Sequence, residues 1–275
     1  MIRFLRKTIL LLAFMLACTM PEEPVFDNPL DPESPDYVGP ETSITFGPNE
    51  GEVRKNDTVT FSWSGNKGVV EYSYRLTGPG SLWGNWSAWN TDKSKTFSLL
   101  NEGEFTFEVK GRYSGETEDE SPAKRSFTID DIQGPALWLY PRQQKVLPTQ
   151  EFDLVLIAED VVDLMALYAQ VSFNTNVFTL QSYTVLSSTE GGLLYKNDGS
   201  IINLSDPVSQ IGYMKFNLAV AGGDPVGVSG TGRVLKLRFR RNITSEQSIS
   251  ITAARMADTE MQTIIITEKV PAVIK

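Results

Sequence analysis

The sequence has no histidine and a single cysteine in 275 residues. Without histidine the chain cannot form a Ser-His-Asp triad or a histidine metal site, and it lacks the commonest general base. One cysteine allows no internal disulfide and cannot supply the thiolate set of a zinc site. Paired carboxylates, as in glycosidases, remain open, but Asp160, Asp163 and the acidic residues between positions 116 and 120 lie in loop-like or charge-rich stretches. The composition therefore predicts a protein that is not an enzyme.

Long apolar runs are scarce too, and the one at the N-terminus covers only Ile9 to Ala17. It is shorter than the roughly 20 residues that a membrane-spanning helix needs. Arg3, Arg6 and Lys7 precede it, and a charged start followed by an apolar middle is typical of a secretory signal peptide. Residues 1–17 are therefore predicted to be an export signal.

The end of this segment, Met15-Leu16-Ala17-Cys18, resembles the lipobox of bacterial lipoproteins. The resemblance implies that the Cys18 thiol receives a diacylglyceryl group and that the signal is removed before it. Met15 and Leu16 depart from the leucine and small residue usual in that family. The implied location is a bacterial membrane, at the outer membrane or cell surface, reached through the N-terminal lipid. The alternative is that Cys18 is a chance small residue in a signal that is cut nearby.

Without the predicted signal the chain has many fewer basic than acidic residues. Subtracting its three basic residues from 25 leaves 22 Lys and Arg against 34 Asp and Glu, a net charge of −12. So acidic a surface repels the phosphates of nucleic acid, which is therefore excluded as a partner.

Residues 18–40 are predicted to be a lipidated N-terminus followed by a proline-rich linker. Six prolines are spread through this stretch with acidic residues between them, a composition that favours extended and semi-stiff chain. Asp27, Asn28 and Asp31 offer oxygen ligands that could hold a calcium ion. The alternative is an acidic, solvated stalk, and no other cofactor is expected.

A period of two dominates residues 41–131, where apolar side chains alternate with polar ones in short runs. Such alternation indicates strands buried on one face, and turn sequences such as Gly65-Asn66-Lys67-Gly68 separate the runs. The order Phe61-Ser62-Trp63, Tyr72 to Leu76, Trp86 to Trp89 and Gly103 to Val109 resembles a fibronectin type III or immunoglobulin-like module. The resemblance implies an antiparallel β-sandwich that binds a ligand or acts as a spacer.

Trp83, Trp86 and Trp89 allow two interpretations. They could form a platform on which sugar rings stack, or they could be structural. In a strand, side chains three positions apart cannot all face one way, which disfavours the platform. Trp86 also matches a position that is packed inside the resembling fold, so a structural role in the interior is predicted.

Residues 134–275 form a second β segment, in which about nine strands and no helix are expected. Alternating apolar sets include Leu167 to Phe173, Met214 to Val220 and Ile249 to Ala253, and Lys196 to Gly199 has the composition of a hairpin turn. The predicted architecture is a jelly-roll-like sandwich. The fold class of the whole chain is thus all-β, with two antiparallel sandwiches.

The order of features in this segment resembles the cohesin domain. It has an opening strand at Ala136–Tyr140, a second at Glu151–Ala158, and a third that ends in Phe173-Asn174-Thr175, where cohesins have Tyr-Asp-Pro. Cohesins dock dockerin modules of polysaccharide-degrading enzymes, and they share their fold with carbohydrate-binding modules. The resemblance implies a binding face that includes Tyr168, Gln170 and Ser172. The alternative for these three residues is ordinary solvated surface.

Two non-catalytic functions follow from these resemblances. The chain could be a surface lipoprotein whose second module docks a dockerin-bearing protein. Alternatively, it could bind polysaccharide directly or act as an adhesin. A plain structural spacer is the third interpretation.

Overall fold

A computed structural model describes residues 28–114, 117–208, 211–222 and 226–275. The predicted signal segment and Cys18 lie outside these residues. Within them, no helix is long and apolar enough to cross a bilayer. The chain forms two β-sandwiches, and the second is jelly-roll-like, so the predicted all-β fold class is confirmed.

The first module packs a three-stranded sheet on a four-stranded sheet. The strands are β1 (Thr42–Phe46), β2 (Glu52–Arg54), β3 (Val59–Gly65), β4 (Glu71–Thr77), β5 (Ser94–Phe97), β6 (Gly103–Arg112) and β7 (Ala123–Ile129). Their orders are β1-β3-β5 and β2-β7-β6-β4, and β2 runs parallel to β7. The apolar residues of each alternating run point between the sheets, where Phe61 and Phe107 stack at 4.0 Å between ring centroids.

The second module contains eleven strands in the described residues, against the nine that the sequence suggested. They are β8 (Ala136–Tyr140), β9 (Gln143–Gln144), β10 (Glu151–Ser172), β11 (Phe178–Val185), β12 (Ser200–Asn203), β13 (Tyr213–Ala221), β14 (Val228–Arg241), β15 (Gln247–Asp258), β16 (Thr263–Ile264), β17 (Glu268–Val270) and β18 (Ala272–Ile274). Most pairs are antiparallel, but β17 runs parallel to β8 and β18 parallel to β9. Two short 3-10 turns, Ser188–Glu190 and Leu193–Tyr195, follow β11.

Strand β10 belongs to both layers of this sandwich. Its N-terminal half pairs with β8 and β14, and its C-terminal half pairs with β13 and β15. Between the halves, Asp160 and Asp163 have positive φ angles of 46° and 55°, and the pairing register with β14 shifts. Aspartate tolerates this conformation better than most residues. Leu156 from one half and Leu167 from the other therefore reach the same core.

Two local predictions in the second module were wrong. Ala253 was grouped with the buried set, but a bulge at Thr252 shifts the pairing of β10 with β15, and Ala253 faces outward. One extra residue in a strand reverses the alternation beyond it. Lys196 to Gly199 does form a turn, with Asp198 at a φ of 58°, but it joins a 3-10 turn to β12 and is not a hairpin between two strands.

Residues 28–40 are not extended where the structure describes them. They form a series of tight turns that pack on the first module. The hydroxyl of Tyr113, just beyond β6, donates to the carbonyl of Val38 at 2.7 Å, and the Asn66 side chain donates to the carbonyl of Gly39 at 2.8 Å. This part of the linker is therefore held at the end of β6 that is farther from the second module.

The two modules meet at a polar junction centred on Arg142, which is only 3 % exposed. Its Nη1 donates to the carbonyl of Leu100 at 2.8 Å, and its guanidinium makes a two-pronged ion pair with Asp131 at 2.9–3.0 Å. Its backbone N–H donates to the side chain of Asn101 at 2.7 Å. Asp57 lies 3.8 Å from the same guanidinium. One side chain of the second module thus binds two loops of the first.

Glu102 holds the connection between the modules at the same place. Its Oε1 accepts hydrogen bonds from the backbone N–H groups of Asp131 and Ile132, both at 2.8 Å. Burial, aided by the nearby Asp131 carboxylate, raises the pKa of the Glu102 carboxyl from 4.5 to about 7. A folded-state pKa above the unfolded value means that the folded protein binds this proton more tightly. The resulting stabilisation is complete below about pH 4.5 and is lost as the pH rises through 7.

We therefore expect the melting temperature to fall by a few degrees between pH 5 and pH 8 because Glu102 loses its proton. In E102Q this contribution is absent, so the decline should be shallower. Differential scanning calorimetry across that pH range measures the difference, and the exposed neighbour E104Q is the matched control. Identical pH profiles for the wild type and E102Q would contradict the expectation.

Candidate functional site

One broad side of the second module is open to solvent in the described residues. It is the outer surface of β12, β13, the C-terminal half of β10, β15 and β16, and we call it the open face. Its residues are Ile202, Leu204, Tyr213, Lys215, Asn217, Ala219, Ala166, Tyr168, Gln170, Ser172, Ser250, Thr252, Ala253, Arg255, Ala257 and Thr263. The opposite surface of the same strands packs on the core, which keeps the open face flat.

The strand register arranges the open face in rows. One row runs Ile202, Ala219, Ala166, Ala257, Thr263 across five strands. Its three adjacent alanines leave a shallow trough of about 350 Å³, lined at its edges by larger side chains that include Leu204 and Tyr168. Ile202 is 46 % exposed and Leu204 is 73 % exposed. Large apolar side chains grouped around a depression on an open surface are typical of a binding site.

Polar groups occupy the remaining rows. Gln170 donates to the Thr252 hydroxyl at 3.1 Å, Ser172 shares a hydrogen bond with that hydroxyl at 2.7 Å, and Tyr168 donates weakly to Gln170 at 3.4 Å. The bulge at Thr252 brings its hydroxyl into this network. The three residues that the sequence nominated thus lie together on the open face, half-buried and held by one another.

The charge of the open face differs from that of the chain as a whole. Lys215 and Arg255 are its two charged residues, and no aspartate or glutamate occurs among the positions named above, although the chain has 34 acidic residues. Neither cation forms an ion pair within the part of the chain that the structure describes. Lys215 lies over the ring of Tyr213 at 5.5 Å. The open face is therefore apolar along the alanine row and positively charged in the rows next to it.

Sequence reasoning missed part of this site. Lys215 and Asn217 could have been inferred, because they alternate with the buried Met214, Phe216 and Leu218. Ile202 and Leu204 gave no such signal, since Ile201 and Ile202 are both apolar and show no alternation. Arg255 was missed because the bulge at Thr252 changes which residues of β15 face outward.

The tryptophans of the first module lie elsewhere, and the prediction that Trp86 packs inside was wrong. Residues 81–90 are not a regular strand but run beside β4, with Ser87 N–H donating to the Tyr74 carbonyl at 2.8 Å. Trp86 lies on the outer side, with Arg75 at 4.6 Å and Lys110 at 5.2 Å from its ring centre. The buried tryptophan of this module is Trp63.

Trp89 continues the same arrangement, with Lys110 at 5.3 Å and Arg112 at 4.6 Å from its ring centre. Trp83 packs edge-on against Phe97 at 5.1 Å. Since cations already lie over the two outer indoles, a sugar ring would have to displace them to stack. The three tryptophans therefore stiffen the module and do not form a free aromatic platform.

The calcium ligands predicted for the linker, where they are described, accept hydrogen bonds within turns. Asn28 Oδ1 accepts from Leu30 N–H at 3.1 Å, and Asp31 Oδ1 accepts from Glu33 N–H at 3.0 Å. No group of three or more potential metal ligands occurs in the described ranges. Asp27 and Cys18 lie outside them, and the calcium site stays a prediction.

No protein-family model matches the sequence, and no curated protein is significantly similar to it. Solved structures of cohesin domains are similar to about half of the chain. A non-cellulosomal cohesin from Archaeoglobus fulgidus is 13 % identical, with a TM-score of 0.38 over 50 % of this chain and 88 % of its own. A type II cohesin from Acetivibrio cellulolyticus is 13 % identical, with a TM-score of 0.43 over 50 % and 94 %.

A third similar structure is the cohesin–X-dockerin complex of Acetivibrio cellulolyticus, at 10 % identity and a TM-score of 0.42 over 51 % of this chain and 99 % of the matched one. The two β-sandwiches are defined by the strand pairing of this chain. Similarity at this level transfers no property of the cohesins to it.

Proposed function

We propose that this chain is a non-catalytic docking protein and that its second module binds a partner protein through the open face. The observation that carries the proposal is the alanine trough flanked by Ile202 and Leu204. Beside it lie Lys215 and Arg255, neither of which forms an ion pair with any residue that the structure describes. Exposed large apolar side chains around a depression mark a binding surface, and neighbouring cations complement an acidic partner. A bound partner would cover the apolar side chains and pair with the two cations.

The chemistry of the face defines the partner. An apolar ridge or helix face would fill the alanine row, and carboxylates beside it would pair with Lys215 and Arg255. In keeping with the cohesin resemblance of residues 134–275, we propose that the partner is a dockerin-bearing protein such as a polysaccharide-degrading enzyme. We further propose that the chain is exported and held at the bacterial surface by a lipid on Cys18. The lipid would place bound partners there.

The docking proposal is tested by measuring the binding of recombinant dockerin modules from the same genome to the whole chain. L204D places a carboxylate at the edge of the alanine trough and should weaken binding at least about 30-fold, the effect expected for an important apolar contact of an interface. K215E/R255E should weaken it as well and should reduce its dependence on salt. V162D is the matched control, since Val162 is 69 % exposed on the same module but off the open face.

Unchanged affinity in both variants would show that binding does not use the open face. If no dockerin module binds but the chain is retained on insoluble polysaccharide, then direct carbohydrate binding replaces docking.

A further inference from the structure

The junction between the modules differs from an ordinary flexible connection. Two domains joined by a short linker usually move relative to one another unless their interface is extensive and well packed. Here the linker between β7 and β8 is bound on both sides. Asp130 N–H donates to the Arg54 carbonyl at 2.9 Å in the first module, and Thr267 N–H of the second donates to the Pro135 carbonyl at 2.8 Å. Ile132, at 2 % exposure, packs in a small apolar cluster with Trp138 and Val155.

The residues that follow β8 make a second attachment. Arg142 and Gln143 follow Tyr140 and reach back to the loop that precedes β6. The Asn101 side chain both accepts from Arg142 N–H and donates to the Pro79 carbonyl at 2.8 Å, so it ties two loops of the first module to the second. Lys275 in turn donates to the Gln143 side chain at 3.1 Å. The linker and the Arg142 contacts thus fix the second module at two separated points of its chain.

The ionic part of the second attachment depends on one side chain, that of Arg142. Arg142 is the cation beside two carboxylates at the junction, Asp57 at 3.8 Å and Asp131 at 2.9 Å. Its side chain is 4 % exposed and that of Asp131 is 13 % exposed, so water screens the pair poorly. Without the guanidinium, the poorly exposed Asp131 carboxylate would lose its cation, and the Leu100 carbonyl would lose its donor.

We propose that Arg142 is a latch that locks the two modules in one relative orientation. Breaking the latch leaves both sandwiches folded, because their cores are separate, but frees them to move about the linker. The open face on the second module therefore keeps a fixed direction relative to the turns of residues 28–40 on the first. The latch fixes the relative orientation of the modules whatever binds to the open face.

The latch is tested by measuring the distance between two spin labels by pulsed electron paramagnetic resonance. In a C18A background, T91C on the first module and Q181C on the second place the labels at exposed positions. The unmodified junction should give one narrow distance distribution. R142M should at least double its width while the near-ultraviolet circular dichroism stays native. R238M is the matched control, because Arg238 forms a similar pair with Asp153 at 2.8 Å within the second module alone.

If R142M proves unfolded, then D131N removes the charge of the partner at the same volume, and R142K keeps the cation but cannot form the two-pronged pair. Both should broaden the distribution. A distribution that is already broad in the parent protein would overturn the proposal. So would one that stays narrow in a folded R142M, D131N or R142K.

Discussion

R241M should lower the free energy of unfolding of the second module by about 3–5 kcal/mol, because it leaves one buried and three partly buried main-chain oxygens without their donor. Arg241 ends β14 and is 2 % exposed. It binds four main-chain oxygens, those of Val146, Ile243 at 3.0 Å, Ser245 at 2.8 Å and Lys275 at 2.6 Å. Methionine retains the length of the arginine stem but donates no hydrogen bond.

These contacts explain why the effect should be large. The oxygens come from three separate segments, the loop before β10, the loop after β14 and the strand end beyond β18. A buried carbonyl that loses its partner costs about 1–3 kcal/mol, and water that enters the site recovers part of the loss. Urea denaturation of the purified protein measures the change. A loss of this size corresponds to a decrease of roughly 10 °C in melting temperature.

R240M is the matched control, since Arg240 is the neighbouring residue on the same strand but is exposed. Its substitution should change stability by less than about 0.5 kcal/mol. If R241M were as stable as R240M, then the guanidinium would contribute nothing to holding the three segments together.

C18A should transfer the protein completely from the membrane fraction to the soluble fraction. The prediction follows from the sequence, in which the lipobox-like Met15 to Cys18 ends a predicted export signal and no second apolar run reaches spanning length. Removing the thiol removes the proposed site of acylation, and an acidic surface has little affinity for anionic lipid.

Fractionation of cells that express the wild type and C18A, with immunodetection of both fractions, measures the transfer. C18S is a second variant that keeps a small polar side chain but cannot form the thioether, and it should behave like C18A. Metabolic labelling with a palmitate analogue should mark only the wild type. Retention of C18A in the membrane fraction would mean that the tether lies elsewhere.

Alternation predicted most of the buried positions because successive side chains of a strand point to opposite faces, so that a strand buried on one face has an apolar residue at every second position. Phe61 and Trp63 in the first module, and Phe216 and Leu218 in the second, are buried as expected. The same principle places Tyr168, Gln170 and Ser172 on the outer side of β10. Alternation therefore predicts which face of the sheet a side chain occupies.

The exceptions occur where a local departure from strand geometry changes the period. The bulge at Thr252 exposes Ala253, and the irregular path of residues 81–90 puts Trp86 outside, where a strand-based argument placed it inside. Arg142 and Arg241 were missed for another reason. A buried arginine depends on partners from distant segments, and nothing in its neighbouring residues signals them.

The turns of residues 28–40 set the reach of the molecule. Val38 and Gly39 are bound to the first module, and the described turns begin at Asn28, ten positions after Cys18. A fully extended chain covers at most about 3.6 Å per residue, so with Cys18 lipidated as proposed the first module stands within roughly 35 Å of the bilayer. Lengthening the chain between Cys18 and Asn28 would therefore raise the height at which partners are held, without altering either sandwich.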